Sequence, residues 1–542
     1  VTYNNSFGWQ RATELPDFLP SWEYATYYNM AMQNMSKQDA YLPEQIQKYK
    51  DGSDPDNYPN VNHLKWLLES GSGFQHQHNV SIQGGNATTS YNLSIGYRNQ
   101  EGLTAKTSNE RMTALFSLRS QLSKSLTLSL NINAYNNKYN APNGEPTSID
   151  GIIGYAVREA PIYAGQKSDG SFGYQDNYSP EAWLASESFV ENVSRNINAS
   201  GQLRWDTPIK GLSLTGKAGV TYWTKYDKTY RAETYFDENK TVGPSTLNIW
   251  TSNNTNTTLE ALVNYEKTFG SHDLKVLAGT SVEQTSNKGL EGYRNTFPNN
   301  ALYQLGAGDA STATNNSSLE EYALVSFFGR VNYAFKDKYL LEANLRYDGS
   351  SRFAKDNRWG IFPSVSAGWR ISEENFWKNT RAGEVVNNLK LRASYGVLGN
   401  QNIGVYPYQQ TYDLDHNYPL GNPATLVPGT YVSTYRNQDL TWEKTAITNV
   451  GLDFGLFNNT LNGSIEYFYK YTSDILAPVE KAGILGQNVS ESNVGAVSNK
   501  GIEVNLSYNG RIGRDFQFSI APNFTWVKNA VEELANGATE EI

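Results

Sequence analysis

The chain contains no cysteine, which removes disulfide frameworks, zinc–thiolate centres and thiol nucleophiles together. Of its five histidines, His63, His76, His78, His272 and His416, only His76 and His78 could share one strand face as half of a metal site. Nothing in the sequence supplies a third ligand there, so no metal or other cofactor is expected. No apolar run reaches 18 residues and the mean hydropathy is −0.59, which excludes helical membrane spans. A β-barrel is not excluded, because its membrane face occupies alternate positions and leaves the average polar. Positive charge is also in deficit: a net charge of −9 argues against nucleic acid, whose phosphates require a basic surface. GxSxG, P-loop and GxGxxG signatures are absent. Carboxylate pairs such as Glu373 with Glu374 read as chance adjacency, and no catalytic centre is expected.

What the chain has in quantity is 37 Tyr, 12 Trp and 21 Phe among many Asn, Ser, Thr and Gly, a composition of strands and polar loops. The clearest stretch is Tyr339 to Ile371, YLLEANLRYDGSSRFAKDNRWGIFPSVSAGWRI. Tyr339, Leu341, Ala343, Leu345 and Tyr347 point one way, and Leu340, Glu342, Asn344, Arg346 and Asp348 the other, with the period of two that defines a strand. The two tyrosines ending the apolar row lie about 26 Å apart along the strand, near the height of the band that aromatic girdles flank in outer-membrane barrels. After a loop the pattern returns with Val365, Ala367, Trp369 and Ile371 outward.

Similar alternation recurs over about seventeen segments: 1–9, 78–84, 89–98, 110–120, 125–137, 194–206, 211–224, 257–268, 273–284, 321–334, 339–348, 361–371, 389–398, 445–456, 461–471, 497–508 and 516–527. Their connectors alternate. One set is short (GGNAT, QLSKS, DTPIKG, FGSH, FKDK, LFNNT, NGRIGRD), with one medium helical connector at 372–388. The other set is mostly long: 10–77, 99–109, 138–193, 225–256, 285–320, 349–360, 399–444 and 472–496. Outer-membrane barrels show this asymmetry, with short periplasmic turns and long outer loops. The first long connector carries WEYATYYNMAMQNM and PEQIQKYKDG, which read as short amphipathic helices. The expected fold is all-β, a large antiparallel transmembrane barrel forming one domain over residues 1–542.

The runs YLLEANLRYDGSSRFAKDNRWGIFPSVSAGWRIS, LKLRASYGVLGNQNIG (389–404), LTWEKT (440–445), NVGLDFGLFNNTLNGSIEYFYKYTSDIL (449–476) and NKGIEVNLSYNG (499–510) resemble the SusC/RagA family of TonB-dependent outer-membrane transporters of Bacteroidetes. That resemblance implies a 22-stranded barrel with an internal plug and a SusD-like surface lipoprotein closing its outer mouth. It implies energy delivered by TonB–ExbB–ExbD through the plug and its TonB box, and import of large nutrients, glycan oligosaccharides or peptides, without chemistry on the cargo. Val1 opens directly in an alternating segment, and GATEEI at the other end lacks a closing aromatic-terminated strand. The expectation is a chain cut at both ends, with the plug and about five strands outside it. A passive porin and a soluble β-rich glycan-binding or glycan-cleaving protein are the rival readings.

Candidate site residues fall in three groups. Glu342 and Arg346 on one strand, with Lys390, Arg392, Glu466, Lys470 and Glu503 on others, form an expected lumen wall facing plug or substrate, against a bland reading as lumen solvation. Tyr406, Tyr408, Tyr412 and Tyr418, with Tyr431, crowd the loop 399–444, and Phe172, Tyr174, Tyr178 and Trp183 the loop 138–193. Such aromatics can grip a sugar or peptide or pack the loops on one another. Asp51, Asp54 and Asp56 could hold calcium, but they lack the glycine and terminal glutamate of an EF-hand. A solvated acidic turn is the alternative.

Overall fold

The structure is a computed structural model that describes all residues except 145–147, 480–483, 485 and 535–542. The GATEEI end and part of the expected connector 472–496 lie outside the described residues. One antiparallel sheet takes 18 strand segments. Its wall runs through β1 (Thr2–Trp9), β2 (Phe74–Gly85), β3 (Thr89–Glu101), β4 (Ser108–Ser123), β5 (Leu126–Pro142), β6 (Phe189–Asp206), β7 (Leu212–Arg231), β8 (Thr246–Phe269) and β9 (His272–Asn295). It continues through β10 (Thr314–Phe335), β11 (Tyr339–Ser350), β12 (Trp359–Arg370), β13 (Val386–Asn400), β14 (Glu443–Leu456), β15 (Leu461–Ser473) and β16 (Ala496–Ile512). Phe516–Ile520 and Asn523–Glu533 both pair with β16 and form one interrupted strand, β17. The sequence predicts an unbroken strand over 516–527. Pro522 lies in the break, where a residue without an N–H cannot continue the ladder.

Each wall strand pairs with its sequence neighbour, and among the described residues nothing pairs β1 with β17. The outward row of β11, Tyr339 through Tyr347, is exposed in every alternate position. So are Trp359, Ile361, Val365 and Ala367 on β12. A wall whose exposed row is Leu, Ile, Val and aromatic would be unfavourable in water and suits hydrocarbon. The girdles are present on both sides. Tyr347 stacks on Trp359 at 4.5 Å between ring centres at the outer end, and Tyr339 lies opposite Trp369 at the turn end. There Glu374, in the helical connector, accepts hydrogen bonds from Tyr339 Oη (2.7 Å), Lys338 Nζ (2.9 Å) and Trp369 Nε1 (3.2 Å). These donors, Tyr339 first, hold its carboxyl down to about 2. The interaction is complete at neutral pH and is lost only as acid carries the pH below the ordinary glutamate range towards that value.

The turns explain the register. Lys336 and Asp337 both take φ of 53°, the left-handed pair that lets two twisted strands reverse tightly. Gly211, at φ 89°, approaches the Glu266 carbonyl so closely that an added Cβ would sit 2.0 Å from its oxygen, so only glycine fits there. On the opposite side β8 and β9 run to 24 residues each, far beyond the 9–11 or so that cross a bilayer. The wall therefore stands well out of the membrane, and the loops sit on top of it.

The buried apolar clusters lie in that outer layer. One holds Leu67, Ile152, Trp183 and Phe236 around α3 (His63–Leu68), α4 (Ile149–Arg158) and α5 (Pro180–Ala185). The opening loop also carries α1 (Ser21–Asn34) and α2 (Pro43–Asp51), as its sequence predicts. A second cluster packs Phe353, Phe362 and Ile403 with Leu440 and Trp442, the apolar pair of LTWEKT. Trp442 also donates to the Arg358 carbonyl at 3.0 Å, so that motif pins the 401–442 loop to its neighbour.

Candidate functional site: lumen wall and outer mouth

The inward positions of β10 to β15 carry two polar clusters. Glu342 accepts from Asn332 Nδ2 at 2.7 Å and from Asn344 Nδ2 at 2.9 Å, while Asn344 Oδ1 accepts from Arg330 Nε at 2.7 Å. Two strands further on, Arg392 donates to Asp453 at 3.2 Å and pairs with Glu466 at 2.5 Å, and Lys390 lies 3.7 Å from Asp453. Glu342 and Arg346 belong to separate contacts. Arg346 pairs with Asp348 at 3.1 Å and lies over the Phe328 ring at 5.0 Å.

Asp453 and Gly451 do not figure among the residues expected from sequence, although both lie on the inward row of NVGLDFGLF. Arg392 sits opposite Gly451, and Gly451 sits opposite Glu466, so the three occupy one row across three strands. A Cβ on Gly451 would fall 2.7 Å from the Arg392 guanidinium carbon. The glycine thus lets Arg392 lie flat across the middle strand to reach Glu466. Gly451→Ala is expected to cost about 1 kcal/mol for a half-buried charged pair, read as a lower urea midpoint, and little in an Arg392→Ala background. Equal costs in both backgrounds would mean that the glycine serves something other than this pair.

At the outer mouth the four candidate tyrosines separate into two pairs. Tyr406 Oη donates to the Glu321 carbonyl at 2.6 Å, Tyr408 Oη to the Ser351 carbonyl at 3.4 Å, and their rings lie 6.4 Å apart. These two seat the loop on the wall tops. Tyr412 and Tyr418 project from a hairpin, Thr411–Leu420 with Thr425–Tyr435, and are 64% and 45% exposed. Tyr431 packs on His416 at 4.1 Å. In the other loop Phe172 and Trp183 are buried, with Tyr174 and Tyr178 packed against their cluster, so this group is loop core.

The other candidates resolve into local structure. His76 and His78 stack among Phe7, Tyr3 and Phe74. Asp51, Asp54 and Asp56 accept from Ser53 N, Asn57 and Ser168 N respectively. Glu373 pairs with Lys378.

An exposed apolar stripe between two aromatic rows, short turns on one side and a deep loop layer on the other, and a charged interior define the wall of an outer-membrane β-barrel. Residues 134–541 match the family described as TonB dependent receptor-like, beta-barrel, and the chain belongs to that family. It is 28% identical over 542 residues to TonB-dependent receptor P3 of Formosa agariphila, covering 98% of this chain and 51% of that protein. It is 29% identical over 492 residues to TonB-dependent receptor SusC of Bacteroides thetaiotaomicron, covering 85% and 47%. The chain spans about half the length of the relatives it matches. Its fold is similar to that of a chain in the structure of the RagAB peptide transporter, with a TM-score of 0.83 at 23% identity over 99% of this chain and 61% of that one. The SusC/RagA resemblance read from the sequence is borne out, and the protein's place is the outer membrane.

Proposed function

We propose that this chain forms the wall and outer mouth of an active importer of large nutrients, glycan oligosaccharides or peptides. In this reading a plug occupies the polar lumen, TonB–ExbB–ExbD energises it, and a SusD-like surface lipoprotein closes over the mouth. The observation that carries the reading is a charged and polar inner row behind an exposed apolar stripe, on a chain whose residues 134–541 match the TonB dependent receptor-like barrel family. A passive porin would share the stripe but not that match, which favours the transporter. The relatives supply context: SusC is named a TonB-dependent receptor, and RagAB is described as a peptide transporter. The soluble rival has no use for the exposed apolar stripe.

The tyrosine hairpin offers the test. Two exposed rings beside Asn and Asp suit a neutral oligomer or the lid protein rather than a small ion, whereas Tyr406 and Tyr408 act through loop packing. Replacing Tyr412 and Tyr418 by Ala in the full-length receptor should remove about 1–2 kcal/mol of contact, a five- to thirtyfold loss of apparent affinity. It would be read as slower growth on the cognate nutrient at normal surface levels. Unchanged growth would remove the hairpin from the cargo path.

A further inference from the structure

His63, Glu159 and Glu181 come from two separate outer loops and meet inside the loop layer. His63 opens α3, Glu159 caps the end of α4 and Glu181 lies in the first turn of α5. Their exposures are 2%, 6% and 3%. His63 Nδ1 lies 2.7 Å from Glu181 Oε1 and 3.7 Å from Glu159 Oε2, and one ligand atom from each residue fits within 4.8 Å of the others. Both Glu159 oxygens and Glu181 Oε2 are buried without any hydrogen-bond partner. No Lys or Arg forms an ion pair with either glutamate among the described residues.

Two carboxylates buried against one imidazole are costly unless a proton or a cation neutralises them. A proton removes the charge but leaves the Glu159 carboxyl unpartnered. A divalent cation would remove the charge and also occupy those lone pairs.

We propose that His63, Glu159 and Glu181 form a zinc-class metal site that clamps the opening loop to the β5–β6 loop at the outer mouth. One imidazole nitrogen with carboxylate oxygens suits zinc, whereas calcium seeks six or more oxygens. Zinc takes bonds of roughly 2.0–2.2 Å, and the three ligand atoms already lie within 4.8 Å of one another. The loops already touch on either side, through Ser168 N to Asp56 at 3.0 Å and Val61 N to the Pro161 carbonyl at 3.1 Å. A clamp between them would hold the α3, α4 and α5 cluster as one platform.

The test uses full-length receptor purified from outer membranes in detergent and equilibrated with buffered Zn²⁺. Elemental analysis should find about one zinc per chain in the wild type. Glu159→Gln, which mimics the protonated carboxyl and should fold normally, should weaken zinc binding at least about tenfold. Zinc should protect the 143–188 loop from protease in the wild type and not in Glu159→Gln, with heat-modifiable mobility confirming an intact barrel in both. Absence of zinc from the wild type, or equal zinc and equal protection in Glu159→Gln and Glu181→Gln, would overturn the site in favour of a proton-sharing triad. Neither result depends on cargo or transport.

Discussion

Arginine in place of Ala343 should destabilise the wall by about 3–4 kcal/mol, in place of Leu345 by about 2 kcal/mol, and in place of Asn344 by about 1 kcal/mol or less. Ala343 is midway between the girdle tyrosines Tyr339 and Tyr347 on the outward row of β11, where a cation meets hydrocarbon at its deepest. Leu345 is on the same row but two residues from Tyr347, and the cost falls towards the interface. Asn344 points inward. An arginine there loses the bond from Arg330 but gains the carboxylate of Glu342, to which Asn344 already donates. Denaturant titration of full-length receptor folded into lipid vesicles would rank the three variants. A larger cost at 344 than at 343 would put the register out by one residue, which inverts every inward and outward assignment along the strand.

How much of this was legible depended on whether a residue repeats a pattern or meets a distant partner. The lipid row of β11 is strictly periodic, because each strand must present apolar side chains to hydrocarbon at every second position. Its reading needs only neighbours in sequence. Most ends at the short turns were close for the same reason: β8 ends at Phe269 and β9 starts at His272, within a residue of the expected 268 and 273. The outer ends were not. β8 begins at Thr246 rather than 257, because TLNIWTSNNTN continues the hydrogen-bonded ladder above the bilayer, where nothing requires an apolar stripe. Site residues show the same division. Arg392 and Glu466 were visible as inward charges, but their partner Asp453 required the cross-strand register. His63, Glu159 and Glu181 are brought together only by the packing of two loops, and no spacing along the chain announces them. The aromatics of the 138–193 loop carried no signal separating a ligand-gripping face from a core, and Trp183 is fully buried.

Residues 1–542 expressed alone should fail to give a closed, protease-resistant barrel, whereas the full-length receptor should give one. Among the described residues, β1 pairs only with β2, and β17 only with β16. Half of the backbone groups of each edge strand therefore point away from the sheet. In water such an edge is an aggregation hazard, and in hydrocarbon each unpaired N–H or C=O costs several kcal/mol. A row of them along Thr2–Trp9 outweighs the roughly 5–15 kcal/mol by which folded domains are ordinarily stable. The edges must be joined, by further strands of the same polypeptide or by the edges of other molecules. The first route gives a monomer whose electrophoretic mobility shifts on boiling. The second gives concentration-dependent oligomers and loss of protease resistance on dilution, which is the expected behaviour of the 542-residue polypeptide. A stable heat-modifiable monomer from residues 1–542 in detergent would instead show that β1 and β17 can close on each other. The wall would then be of porin size, and the expectation of further strands between β1 and β17 would fail.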